Sequence, residues 1–322
     1  MTIPWPASGT PYITPDQLTL GAWPVGVDWT TLPPGTNVTT VQKTAALADV
    51  CMAATAQVNG EMNYPLHAVL NTEQLQGPDY RVTVHNSTRE GRVILSRWPV
   101  TDIVSVQVAP AGVYPLQWTT VPSGFYRIEY PVIGRYGTNT AGGSGEGGQA
   151  ILIAPGYVNW CNGRWGVVVS VQYFHGWPHA SLSTPAVSGA TTLQVDDVTG
   201  WAPFTPGQPG ATGILYDPAH GQEPVMVTAA TATNSSNPPV GPGTLTLSSA
   251  LAYNHPTAGV MVSSLPSDVI WASVLFAAAE ALTRGAQATV VQATPGSRGG
   301  GTGAAGLKQD AKAMLHRFQR TI

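Results

Sequence analysis

Two amphipathic stretches at opposite ends of this chain constrain it most, because neither can hide its apolar face without the other. Ser267 to Gly285, SDVIWASVLFAAAEALTRG, places Ile270, Val274, Ala277, Ala278 and Leu282 at helical spacing, which predicts a helix with one wide buried face. Pro266 and Ser267 supply its start signal and Gly285 its stop. Thr39 to Asn63, TTVQKTAALADVCMAATAQVNGEMN, puts Val41, Leu47, Val50, Cys51, Ala54, Val58 and Met62 on one face, and Thr39 with Gln42 has the capping-box spacing. A third helix is predicted over LKQDAKAMLHRFQRTI, beyond the flexible span Gln292 to Gly306. Leu307, Ala311, Met314, Leu315 and Phe318 lie on one side of it, and Lys308, Lys312, Arg317 and Arg320 on the other. These patterns predict an α+β chain: a small helical bundle drawn from both chain ends, with an antiparallel β barrel or sandwich and a second β module inserted between them.

Four regions follow in order. Residues 1–38 form an arm in which Pro4, Pro6, Pro11, Pro15, Pro24, Pro33 and Pro34 alternate with Trp5, Trp23 and Trp29. Proline forbids regular helix and sheet interior, and each tryptophan needs a surface to cover it. Such an arm lies along a neighbour or wraps its own domain. Residues 39–182 hold the first helix and six strand-length runs: Arg81 to His85, Arg92 to Leu95, Asp102 to Ala109, Phe125 to Tyr130, Ala150 to Ala154 and Val167 to Phe174. A Gly-rich loop, Thr138 to Gln149, interrupts them. Residues 183–264 read as a module of short strands (Thr192 to Val195, Gly213 to Tyr216, Pro224 to Ala229, Gly243 to Ser248, Gly259 to Ser263) set into a loop. Residues 265–322 carry the C-terminal helices and tail.

Patterns for catalysis or metal binding fail on context. Gly143-Ser-Gly145-Glu-Gly147-Gly148 fits a dinucleotide-loop spacing, but a strand follows it, so no helix N-terminus would face a pyrophosphate. Gly142 to Glu146 misses the last glycine of a nucleophile elbow. His175 and His179 stand four apart, yet Gly176 and Pro178 forbid the helix that would pair them as ligands. Asp196, Asp197 and Asp217 are too few oxygens for calcium and suit turns better. Cys51 sits on an apolar face, and with Cys161 it makes no disulfide framework. No enzyme, cofactor or metal is expected.

Charge points toward association. Only 10% of residues are charged, so an isolated monomer would be poorly protected from its neighbours. From Leu265 onward six Lys and Arg face three acids, which leaves +3 on the tail and, from a total of −3, −6 on the rest. Such a tail suits an acidic partner, or simply a helix C-terminus. MTIPWPASG has no basic region followed by an apolar run, and the longest apolar run, Val269 to Ala279, is too short to span a bilayer, so synthesis in the cytoplasm is expected.

Four features together give the chain the layout of a known family. These are the run RVILSRWPVTDIVSVQV (Arg92 to Val108), the segment VVVSVQYFHGWP (Val167 to Pro178), PSDVIWASVLFAAAEAL (Pro266 to Leu282) and the final amphipathic helix. The layout resembles the head-to-tail adaptors of long-tailed bacteriophages, also called head-completion or connector proteins. Arg97-Trp98-Pro99-Val100 with Val104-Ser105-Val106, Tyr173 to Gly176, and Pro266 to Ala272 carry the likeness. The module at 183–264 departs from it, since minimal adaptors lack one.

The resemblance implies a structural virion protein of the neck, made in the host cytoplasm. About twelve copies would close into a ring with cyclic symmetry under the portal protein. The ring would extend the DNA channel, let genomic DNA pass without specific binding, and dock a downstream neck or stopper protein. It also implies portal contact through Leu307, Lys308, Lys312, Met314, Leu315, Arg317, Phe318 and Arg320. Ten tryptophans and eleven tyrosines keep an alternative open, a β-rich binding module of the tail or baseplate for carbohydrate or protein.

Overall fold

The computed structural model describes residues 10–20, 25–76, 82–84, 90–112, 114–129, 150–157, 167–202, 210–256, 259–288 and 303–318. Four α-helices are present among them: α1 (Pro15–Leu20), α2 (Thr40–Met62), α3 (Ser267–Thr283) and α4 (Ala304–Leu315). The capping box at the start of α2 forms in full: Gln42 N–H donates to the Thr39 hydroxyl, and the Gln42 side chain accepts from Thr39 N. Asn63, in the left-handed conformation, ends that helix. α3 departs from the one-faced helix its spacing predicts. Val269, Ile270, Ala272, Ser273, Val274, Leu275, Phe276, Ala277, Ala278, Ala279 and Ala281 are all buried, because α2 and α4 both pack against it. Ser273, the polar residue in that run, donates to Val269 O within the helix and so stays satisfied.

The N-terminal arm closes the same core. Tyr12, Ile13, Leu18, Trp29 and Leu32 are buried in it beside Val50, Ala54 and Val58 of α2. The described part of the arm therefore wraps its own chain. It also contains α1, which the proline content argues against; Pro15 stands at its first position, where a missing N–H costs nothing. A two-residue pair, β1 (Val27–Asp28) with β16 (Gln287–Ala288), ties the arm to the chain just past α3.

Strands between α2 and α3 form three antiparallel sheets. One has the order β2-β9-β5-β6, from β2 (Val69–Gln76), β5 (Val100–Pro110), β6 (Thr119–Val121) and β9 (Val167–His175). A second has the order β3-β4-β8-β7, from β3 (Val82–Val84), β4 (Gly91–Ile94), β7 (Tyr126–Glu129) and β8 (Ala150–Ile153). Both sheets are open, so the barrel form of the sequence expectation does not hold. Each presents one face to a shared apolar core containing Leu75, Val93, Ile103, Val106, Ile151, Ile153, Val169 and Val171. β5 breaks strict alternation. Bulges at Val100/Asp102 and Ile103/Ser105 turn Ile103 and Val106, three apart, to the same face.

The third sheet is the module: β10 (His179–Ser181), β11 (Thr192–Val195), β12 (Thr212–Tyr216), β13 (Glu223–Ala232), β14 (Gly243–Leu247) and β15 (Met261–Ser263), in the order β10-β15-β12-β13-β14-β11. Its edges curl until Leu182 and Val195 meet in a single bridge. The sheet wraps a core of its own around the fully buried Trp201. Gly213 makes room for that ring, since a Cβ there would lie 2.8 Å from it. The entering strand β10 pairs directly with the leaving strand β15, His179 opposite Ser263.

Gly176 turns the chain from β9 toward the module at φ +87°, and a Cβ there would lie 2.4 Å from the carbonyl oxygen of His67. Gly189 has the same φ but open space around it. Strain from the left-handed conformation is common to both. Gly176→Ala should therefore cost about 1–3 kcal/mol more than Gly189→Ala, the usual penalty of forced overpacking. Urea unfolding of the two variants measures this, and equal losses would contradict the close approach.

Candidate interaction surface

α4 reaches the core through its apolar side. Leu315 is fully buried and Phe318, just past the helix, is buried against Trp177 (ring centroids 5.7 Å apart) and Trp98 (6.3 Å). Trp98 and Trp177 are themselves edge-to-face at 5.5 Å. Leu307 and Met314 are half-buried and pack on the same core. Four of the residues that the resemblance assigns to portal contact are thus engaged within the chain. Of the cations, Lys308 is half-exposed and Lys312 is exposed. The Lys312 ammonium lies 2.7 Å from Glu61 Oε1 near the end of α2, a contact worth about 0–1 kcal/mol at such exposure. The side chain of Arg317 and all of Arg320 lie outside the described residues.

One row on the outward side of α2 is apolar, with the exposed Gln42 and Thr44 beside it. Val41 is 79% exposed and Met52 42%, with Ala45, Ala48 and Ala56 exposed between and beyond them. The sequence pattern puts Val41 with the buried stripe. At about 100° per residue it lies roughly 120° from the line through Leu47, Ala54 and Val58, which explains its exposure. Asp49 is the exposed charge beside this row. Sequence reasoning missed the row because alanine fits either side of a helix.

Where helices meet module, a polar knot holds the arm. The Tyr12 hydroxyl accepts from Leu66 N (2.8 Å) and His67 N (3.2 Å) and donates to Asn59 Oδ1 (2.6 Å). Its backbone N–H donates to the Thr55 hydroxyl. Burial pushes the Tyr12 phenol well above its ordinary range. Next to it His179 is wedged between Pro11 O, 2.9 Å from Nε2, and Ser263 Oγ, 2.9 Å from Nδ1. A carbonyl only accepts, so Nε2 carries the proton. The Ser263 hydroxyl takes Leu265 N–H and is free to donate to Nδ1. Burial above all pulls His179 down to about 3, which keeps the ring neutral. His175, buried and with Nδ1 unpartnered, is likewise held at about 3 by burial and then by the nearby Arg97 and His67.

The remaining polar candidates serve local structure. Asp196 accepts from Thr10 and from Ser181 N, and Asp197 caps the turn at Thr199. Cys51 is buried and its thiol is pushed up to about 12. The glycine run at 143–148 and Cys161 lie outside the described residues. Among the described residues no group of three or more His, Cys, Asp or Glu could hold a metal ion, and no helix is long and apolar enough to cross a membrane. A cleft of about 410 Å³ between the start of α2 and the β1–β16 pair is lined by Thr30, Thr31, Asn37, Lys43 and Gln287 among others, without the apolar floor typical of small-molecule sites. In comparisons with family models, curated proteins and solved structures, nothing matches the chain.

The neutral histidines set a pH dependence at this junction. Above about pH 6.5 an unfolded histidine is also neutral and burial costs no proton. As pH falls from there toward 3, the unfolded chain binds protons that folded His175 and His179 refuse, so stability is lost on acidification. Amide protection at Leu66 and Leu265 should fall between pH 7.5 and 5, and less steeply in His179→Gln. Unchanged wild-type protection would refute this.

Proposed function

We propose that this chain is a structural subunit that works as a closed ring, a head-to-tail adaptor seated under a portal in the virion neck. The supporting observation is the apolar outward row of α2, Val41 to Ala56, on a chain with only 10% charged residues. A row of that kind gains by being covered, and a ring covers a flank of every copy with a neighbour through one repeated contact. In this reading α2, α3 and α4 are a helical scaffold from both chain ends, and the module at 183–264 decorates the ring.

Portal contact falls to the cations of the C-terminal segment, Lys308, Lys312, Arg317 and Arg320, while Leu307, Met314, Leu315 and Phe318 hold that segment in place. The ring would number about twelve copies, dock a downstream neck protein, and pass DNA through a lumen low in clustered cations, to which phosphates would otherwise stick. The alternative, a β-rich binding module of tail or baseplate, draws on Ile214 (40% exposed) and Met226 (38%), which stand on the outer face of the module's sheet beside the exposed Pro224.

Two variants separate these readings. Val41→Glu with Met52→Glu should abolish ring formation, seen by light scattering and by cryo-electron microscopy of the neck, and leave unfolding midpoints nearly unchanged. Lys308→Glu with Lys312→Glu should weaken portal binding at least tenfold, a cost of about 1.4 kcal/mol. Rings that form normally from the first variant would refute the role of α2. Loss of function on Ile214→Asp alone would favour the binding module.

A further inference from the structure

The module is joined to the rest of the chain at its root, where β10 pairs with β15 and the Ser264 N–H and hydroxyl both donate to Pro178 O. Beyond the root it folds around its own core, so that core does not fix the angle at which the module stands. Among the described residues two further hydrogen bonds reach it from outside, and both come from the N-terminal arm. The Thr10 hydroxyl donates to Asp196 Oδ2, and Pro11 O accepts from His179 Nε2 at 2.9 Å. Both partners sit where they have leverage. His179 lies in the root strand β10, opposite Ser263. Asp196 follows β11 at the seam where the sheet's edges meet, and its Oδ1 accepts from Ser181 N at 2.7 Å. The arm thus touches the root and the seam together.

The arm divides into an anchor and a reach. Tyr12 and Ile13 are completely buried in the helical core, where the Tyr12 hydroxyl meets Leu66, His67 and Asn59. Pulling them out would expose two large side chains and unpair buried polar groups, so they stay. Thr10 and Pro11 are only half-buried. Lifting them breaks two hydrogen bonds that water can replace, and it leaves the anchor in place. The other contacts across this boundary are packing contacts. The Tyr12 ring stands edge-on to His179 with centroids 5.6 Å apart, Gly200 lies so near Ala68 that a Cβ there would be 2.7 Å from the alanine methyl, and Tyr216 rests half-buried on the helical core. Apolar packing has little direction, whereas two hydrogen bonds to separate strands select one orientation.

We infer that Thr10 and Pro11 form a releasable latch that sets the angle of the module on the helical core. With the latch closed the module is held in one orientation. With it open the module swings on the β10–β15 root while both cores remain folded. A partner that takes hold of residues 10–11, or of Asp196, therefore turns the module by a hinge motion, and it does so to the extent that it binds the open state better than the closed one. The latch belongs to the single chain, whether or not that chain assembles into a ring.

Electron–electron double resonance on the intact chain at neutral pH tests the latch. Nitroxides go on Asn234→Cys in the module and Gln309→Cys on α4, both exposed positions, in a Cys161→Ser background that leaves the buried Cys51 thiol. Labelled chain is diluted in unlabelled chain, so that distances within one molecule are read. The parent distribution should be one narrow peak. Thr10→Asp sets a second carboxylate against Asp196 and should raise the ratio of swung to docked module about tenfold. Thr10→Val keeps the shape, loses the donor and should raise the ratio by a smaller factor, while Thr10→Ser should match the parent. Hydrogen–deuterium exchange should show unchanged protection at Leu245 in the module and Val274 in α3. A parent distribution that is already broad would overturn the latch, and so would a single narrow peak in both Thr10→Asp and Thr10→Val. Lost protection at Leu245 in either variant would also overturn it, by making Thr10 a prop of the module's own fold.

Discussion

Helix α3 can be buried only if more than one helix packs against it. Its eleven buried residues run round most of its circumference, more than a single neighbouring helix can cover. α2 covers it from one direction and α4 from another, and the β1–β16 pair joins the arm to the chain beyond it. Ala272, Ala277, Ala278 and Ala281 keep that surface smooth enough for close helix approach, while Phe276 and Leu275 supply most of the bulk. Everything between α2 and α3 must leave the helical core and return to it. The strand-rich middle is shaped by this requirement, with β9 delivering the chain back at Gly176 and β15 at Leu265.

How legible an element was depends on where its stabilising partners lie. α2 could be read because its capping box and buried stripe are both local. The strands of the module could be read within a residue or two for β11, β12 and β14, where buried and exposed residues alternate strictly. β2 could not: it is a sheet edge, and Asn71, Thr72, Glu73, Gln74 and Gln76 give it polar residues on both faces. β5 was legible as a strand but not in its facing, because two bulges reset which side chains point inward. β6 and β10 have three residues each, too few for a period to show. α1 hid inside a proline-rich arm.

Candidate sites divide in the same way. The amphipathic character of α4 was plain from spacing, but spacing cannot say whether an apolar face meets its own chain or another. Phe318 against Trp98 and Trp177 answers that for the inner face. The exposed row on α2 escaped notice because alanine carries little signal in either direction. Asp217 and His255, 38 residues apart, lie on separate connections of the module, and only strand pairing brings them together. Tyr12 reads as one aromatic among many, yet it satisfies backbone groups at Leu66 and His67 that would otherwise be buried without partners.

The pairing of β10 with β15 has a mechanical consequence. Both strands meet the helical core at the same end of the module, β10 entering it and β15 leaving it. A pull on the module therefore travels along two covalent backbones side by side. Their ladder of hydrogen bonds is not sheared, because both strands are loaded from the same end. The pair behaves as a two-ply strap, inextensible under tension and, through its ladder and the Ser264 N–H bond to Pro178 O, resistant to twist. A domain hung in this way can take sudden axial load without unzipping its own root.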